Sequence, residues 1–187
     1  GVTGEEFPVF CEGARRHALA AMERLADPAL PDYRRLFALS YSQEPAAASA
    51  LLEACERFEQ AHPESSHRRC SLALRGRALV QLGRAREARA AFAGVNTPEG
   101  PMCGFEDDAL RRLAEMDAAA GDGWVAAAGF ARVIGEHPYS PAFADALYQW
   151  GLCSVRAGDG ESGRRVLTQA LASYPSHASA ATARAAL

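Results

Sequence analysis

The sequence predicts an all-α chain built from antiparallel helix pairs stacked in series. Three observations predict it. The first is a repeat. Ala120-Gly121-Asp122-Gly123 returns 37 residues later as Ala157-Gly158-Asp159-Gly160, and Pro28, Pro63, Pro101, Pro138 and Pro175 follow one another at spacings of 35, 38, 37 and 37. The second is composition. Ala is abundant, Val, Ile and Thr are sparse, and all 20 basic residues are Arg. Ala and Arg favour helices, whereas β-branched residues favour strands. The third is periodicity. Leu72, Gly76, Leu79 and Leu82 recur at three- and four-residue steps, as do Leu110, Leu113 and Met116, the signature of one buried helical face.

Taken in order, the stretch from Phe7 to Ala26 predicts one amphipathic helix. Between Pro31 and Pro63 comes a degenerate pair, with Leu39 where later pairs carry a small mid-helix residue and Cys55 where they carry a bulky one. Three clearer periods follow, each read as helix, Gly turn, helix, Pro turn. Gly83, Gly121 and Gly158 each stand 17 or 18 residues before a proline. Glycine supplies the left-handed conformation that ends a helix. Proline cannot continue one, because it lacks the N–H and clashes with the preceding turn. The serines of His62-Pro63-Glu64-Ser65, His137-Pro138-Tyr139-Ser140 and Tyr174-Pro175-Ser176 stand where they would cap the next helix. In the second helices, Ala88, Phe92 and Val95, then Ala126, Phe130 and Val133, then Gly163, Leu167 and Ala170 step by four and then three. Their small members permit close helix approach beside the large ones. Ala178 to Leu187 predicts a capping helix. The expected organisation is residues 1–63 as degenerate N-terminal helices and residues 64–187 as about three repeats plus the cap, in one continuous right-handed array.

Bulk properties narrow the function. With 187 residues, 49% of them apolar, the chain can bury a core unaided. The formal net charge of −3 provides no field toward nucleic acid or an anionic membrane, and no apolar run approaches the roughly 18 residues of a membrane span. The start at Gly1-Val2-Thr3, without Met or a basic lead into an apolar stretch, is expected of a processed or excised chain. Cys11, Cys55, Cys70, Cys103 and Cys153 are too far apart for a CxxC or paired zinc motif. Buried thiols are expected, with one long-range disulfide as the alternative. The histidines His17, His62, His67, His137 and His177 form no HxxxH or HExxH set. No nucleophile elbow, P-loop or dinucleotide fingerprint occurs, and the Gly-Asp-Gly turns lack the alternating acids of a calcium loop. A non-enzyme is therefore expected, with no cofactor and no metal.

Charge is segregated. Arg68, Arg69, Arg75, Arg77, Arg84, Arg86 and Arg89 crowd one period with Glu87 as the only acid among them, and Glu106, Asp107, Asp108, Glu115, Asp117 and Asp122 fall in the next. Such blocks make inter-repeat salt bridges, a polarised binding surface or a head-to-tail contact between chains. No aromatics interleave with the arginines, so a nucleic-acid partner is not expected.

Gly76, Gly83, Ala88, Phe92 and Pro101, then Ala114, Ala126, Phe130, Val133 and Pro138, then Gly151, Gly163, Leu167, Ala170 and Pro175 resemble the tetratricopeptide repeat pattern across residues 66–187. The 37-residue period and the Pro-x-Ser turns resemble bacterial cell-envelope members, such as the periplasmic coordinator associated with the Tol-Pal system, which favours a periplasmic over a cytoplasmic location. The resemblance implies a scaffold that holds a protein segment in a groove lined by first helices, with self-association or membership of a larger multidomain protein as alternatives. It implies groove positions at Arg77 and Gln81, at Asp108, Arg111 and Glu115, and at Asp145, Tyr148 and Arg156. Arg77 and Arg111 would grip carboxylates and Tyr148 would anchor the partner. Ala73 and Arg77 stand where the family's chaperone-binding clamp has Lys and Asn, so that specificity is not expected.

Overall fold

The computed structural model describes residues 25–42, 46–97 and 103–187. The expected helix from Phe7 lies outside them up to its last two residues, as do Cys11 and Pro101. The described elements are α1 (Leu30–Leu39), α2 (Ala47–Ala61), α3 (Arg68–Gln81), α4 (Ala85–Val95), α5 (Glu106–Ala119), α6 (Gly123–Glu136), α7 (Phe143–Arg156), α8 (Gly160–Ser173) and the short α9 (Ala180–Ala185). The all-α expectation holds, with stacked antiparallel pairs.

The chain divides into two compact units, one ending at Gly104 and the other starting at Phe105. In the first, α2 packs on both α1 and α3, and α3 packs on α4. In the second, α6 packs on α5 and α7, α7 packs on α8, and α9 closes against α7 and α8. Each unit has its own core. Leu36, Leu51, Leu52, Cys55, Phe58, Leu74, Leu79, Phe92 and Val95 are buried in the first. In the second, one cluster gathers Leu110, Ala114, Ala126, Phe130, Val133 and Cys153, and another Leu147, Tyr148, Leu152, Val166, Leu167, Ala170, Ala180 and Ala183.

The Gly turns share one hydrogen-bonded design. Gly83, Gly121 and Gly158 have φ of 72°, 88° and 93°. The following residue donates its N–H to the carbonyl five residues earlier, Arg84 to Leu79 O at 2.9 Å, Asp122 to Asp117 O at 2.9 Å and Asp159 to Ser154 O at 3.0 Å. Each glycine N–H meets a carbonyl three residues earlier, at Val80, Ala118 and Val155. This paired closure satisfies carbonyls that a helix end would leave orphaned.

The Pro turns differ from expectation in what serine does. Ser65 Oγ accepts from His67 N at 3.1 Å and Ser140 Oγ from Ala142 N at 3.0 Å, but neither bond caps α3 or α7. Each serine instead shapes the turn, while its hydroxyl donates to a carboxylate of the preceding pair, Ser65 to Asp27 at 2.8 Å and Ser140 to Asp107 at 2.6 Å. The side-chain cap sits elsewhere, where Asp159 accepts from Ser162 N at 3.1 Å at the start of α8.

Within pairs, small residues set the helix spacing. A Cβ on Gly151 would stand 2.7 Å from Leu167, and one on Gly163 would stand 2.8 Å from Gly151 O. The α7–α8 pair therefore approaches to backbone contact, as the small positions of the repeat pattern imply.

Candidate partner-binding faces

In the first unit, Arg77 is half-buried on α3 and Gln81 is exposed one turn later. Other arginines of the same basic run are committed to the fold. Arg69 Nε donates to Val95 O at 2.9 Å, placing a cation against the C-terminal end of α4, where the helix dipole is negative. Arg75 Nη1 meets Glu59 Oε2 at 2.6 Å, and Glu59 also accepts from Ser71 Oγ at 3.2 Å. Burial pushes the Glu59 carboxyl above its ordinary range, opposed by Arg75 and Ser71. Arg84 makes a two-pronged contact with Glu87 on the exposed side of α4.

In the second unit, Arg111 sits between two carboxylates of its own helix. Its Nη2 donates to Asp108 Oδ1 at 2.7 Å and its Nη1 to Glu115. Arg112 adds a contact to Glu115 at 3.2 Å and to Asp108 at 3.7 Å. Burial opposes the charge on Arg111, but Glu115, Asp108 and the more distant Asp145 of α7 outweigh it and raise its pKa. The four expected residues Asp108, Arg111, Glu115 and Asp145 are thus one electrostatic cluster across α5 and α7. Arg156 is exposed at the end of α7.

Two expected roles need correction. Tyr148 is fully buried, its hydroxyl donates to Tyr174 O at 2.9 Å, and its ring stacks on His177 at 4.9 Å. It cannot anchor a partner without unfolding its surroundings. The two terminal nitrogens of Arg111 are already bonded within α5, so it does not stand ready to grip a foreign carboxylate. Both follow from one geometric fact. Ala73, Arg111 and Tyr148 are each the sixth residue of their helix, and Ala73 is 1% exposed, the Arg111 side chain 16% and Tyr148 0%. That phase points inward.

Sequence reasoning also missed two surfaces. The first unit holds a cleft of about 400 Å3 between α1 and α2, lined by Leu36, Leu39 and Phe58 together with Arg35, Arg57 and His62. His62 Nε2 lies 3.1 Å from Asp32 Oδ2, which also pairs with Arg35 at 2.9 Å. The degenerate repeat hides it, because the pattern that flags faces is weakest there. In the second unit Trp124, Val125 and Tyr139 are exposed, Tyr139 at 91%. Aromatic residues beside the Gly and Pro turns were the available signal. Among the described residues, no group of three His, Cys, Asp or Glu side chains could hold a metal ion, and no helix is long and apolar enough to cross a membrane.

No protein-family model and no curated protein matches the sequence. Solved structures do match the fold. A tetratricopeptide repeat protein from Parabacteroides merdae superimposes with a TM-score of 0.67 at 16% identity, over 83% of this chain and 59% of that one. A Podosopora anserina putative kinesin light chain with nearly identical TPR-like repeats superimposes with a TM-score of 0.57 at 15% identity, over 93% of this chain and 82% of that one. This chain therefore spans less than two thirds of the Parabacteroides protein's length. Its helix pairs, Gly turns and small-residue contacts are those of a tetratricopeptide-like repeat fold.

Proposed function

We propose that the protein is a non-catalytic scaffold that recruits a segment of a protein partner to the first-helix faces of its repeats. The observation that carries this reading is the charged cluster of Asp108, Arg111, Glu115 and Asp145 across α5 and α7. Ordered charges on a rigid helical face set partner register and reject wrong partners by leaving charges unmatched. Asp145 of that cluster and the exposed Arg156 at the end of α7 are best placed to meet a partner, because Arg111 is held by its neighbours and Tyr148 is buried. The test is a pull-down from the source cell with an Asp145→Arg/Arg156→Glu variant beside the wild type, each checked for helical circular dichroism. The reading expects a protein held by wild type and lost by the folded variant. Equal retention by both would remove this face from the mechanism.

A second reading, self-association, has its own support. Residues 68–89 carry seven Arg against one acid, Glu87, and residues 106–122 carry six Asp and Glu against two Arg. Opposite charge on two stretches of one chain suits a head-to-tail contact between copies. Light scattering at about 0.05 M and 0.5 M salt distinguishes the readings, because a charge-driven oligomer dissociates as salt rises. The 37-residue period and Pro-x-Ser turns support a place among bacterial cell-envelope scaffolds, which fractionation of the source cell tests.

A further inference from the structure

We propose that Cys70 and Cys103 are a redox pair, oxidised by a peroxide to a disulfide that fastens the end of the first unit to α3. Cys70 lies in the first turn of α3 and Cys103 lies 33 residues later, just before Gly104. The Cys70 thiol donates to Cys103 O at 3.5 Å, so two cysteines distant in sequence occupy one site. They are 2% and 8% exposed. A disulfide needs Cα atoms about 4.4–6.8 Å apart, and the thiol-to-carbonyl contact brings the Cys70 sulfur to the Cys103 main chain.

Among the described cysteines these two are the natural pair. Cys55 sits beside Ser71 and Glu59, and burial pushes its thiol up to about 12, which keeps it protonated and unreactive. Cys153 is buried in the second unit among Leu110, Ala114, Ala126 and Phe130, a cluster with no other cysteine. Cys103 is the more exposed of the pair and next to a turn in which Gly104 has φ of 82°.

The chemistry balances with a peroxide as oxidant. The Cys103 sulfur takes one oxygen from hydrogen peroxide, giving a sulfenic acid and one water. The Cys70 sulfur then attacks the Cys103 sulfur. The S–O bond breaks, and the departing hydroxide takes the Cys70 proton to form a second water. Two thiols have lost two electrons, and the peroxide has been reduced by the same two.

The experiment treats the intact chain with equimolar hydrogen peroxide, alkylates the remaining thiols, digests with trypsin and reads the masses. The expected product is one species joining residues 70–75 to residues 90–111, lost on reduction and absent from Cys70→Ser and Cys103→Ser. The oxidised wild type should melt about 5 °C higher, because a link across this loop restricts the unfolded chain. Cys103 carried to sulfinic acid without the linked species would overturn the proposal, as would a link that joins other cysteines. If a serine variant does not fold, the linked species in the wild type still decides.

Discussion

Tyr148 shows how a single side chain can change the meaning of a surface. A tyrosine on a first helix reads as a contact residue, but here its ring is stacked on His177 and its hydroxyl holds the Tyr174 carbonyl. Tyr148→Phe removes one hydrogen bond and is expected to cost about 1 kcal/mol in urea denaturation. Tyr148→Ala opens a cavity and is expected to cost about 4 kcal/mol. A loss under 1 kcal/mol for the alanine variant would show that the ring is not core. Glycines give a matched contrast. Gly151→Ala drives a methyl to 2.7 Å from Leu167 and should destabilise by about 2 kcal/mol. Gly135→Ala, in the last turn of α6 with nothing within 4 Å, should stabilise by up to about 1 kcal/mol. Asp27 makes the fold sensitive to acid. Burial alone would raise its pKa, but bonds from Ser66, Ala29 and Ser65 hold it down at about 2 against an ordinary 3.8. A depressed carboxylate stabilises the fold above its unfolded pKa, and that contribution disappears as pH falls from about 4 to 2. Asp27→Asn should therefore lower stability at neutral pH and narrow the gap to wild type across that window, read by melting curves from pH 7 to pH 2.

At the scale of the element, the turns were the most legible part of the sequence. Gly83, Gly121 and Gly158 occur at the same phase because only a residue without a Cβ enters that conformation easily, so the requirement is written into the residue type. The phase of a side chain across a helix was less legible. Whether the sixth residue of a first helix faces inward depends on the neighbouring helix, and Ala, Arg and Tyr at that phase share no chemistry that would announce burial. The cleft between α1 and α2 was missed for a related reason, since Leu39 and Cys55 replace the residues that make the pattern recognisable. Contacts between elements carry their own prediction. Arg75 on α3 compensates Glu59 on α2, whose side chain is 10% exposed. Arg75→Ala leaves that carboxylate unmatched and should cost about 3 kcal/mol at pH 7. The Glu59 pKa is already above 4.5, so protonation removes the stranded charge early on acidification, and the cost should shrink by pH 4. A loss independent of pH would assign the effect to packing of the arginine stem instead.

At the scale of the whole molecule, the chain forms two compact units. In repeat proteins stability is close to a sum of local and nearest-neighbour contributions. Ending the chain after Pro175 removes His177, Ala180 and Ala183 from the cluster around Leu147 and Tyr148. Amide hydrogen exchange should then accelerate in α7 and α8 and stay at its wild-type rate in α1 to α4. Uniform acceleration across all helices would show that the units unfold together.

The recurring glycine closure bears on ancestry. Arg84, Asp122 and Asp159 complete it through main-chain atoms, whatever side chain each carries. A gene segment copied from one such turn to the next would insert with its junction chemistry already complete at both borders. Lengthening or shortening by whole periods is then a single genetic step, and the chain's relatives should differ in their number of helix pairs more readily than in the form of the bend that joins them.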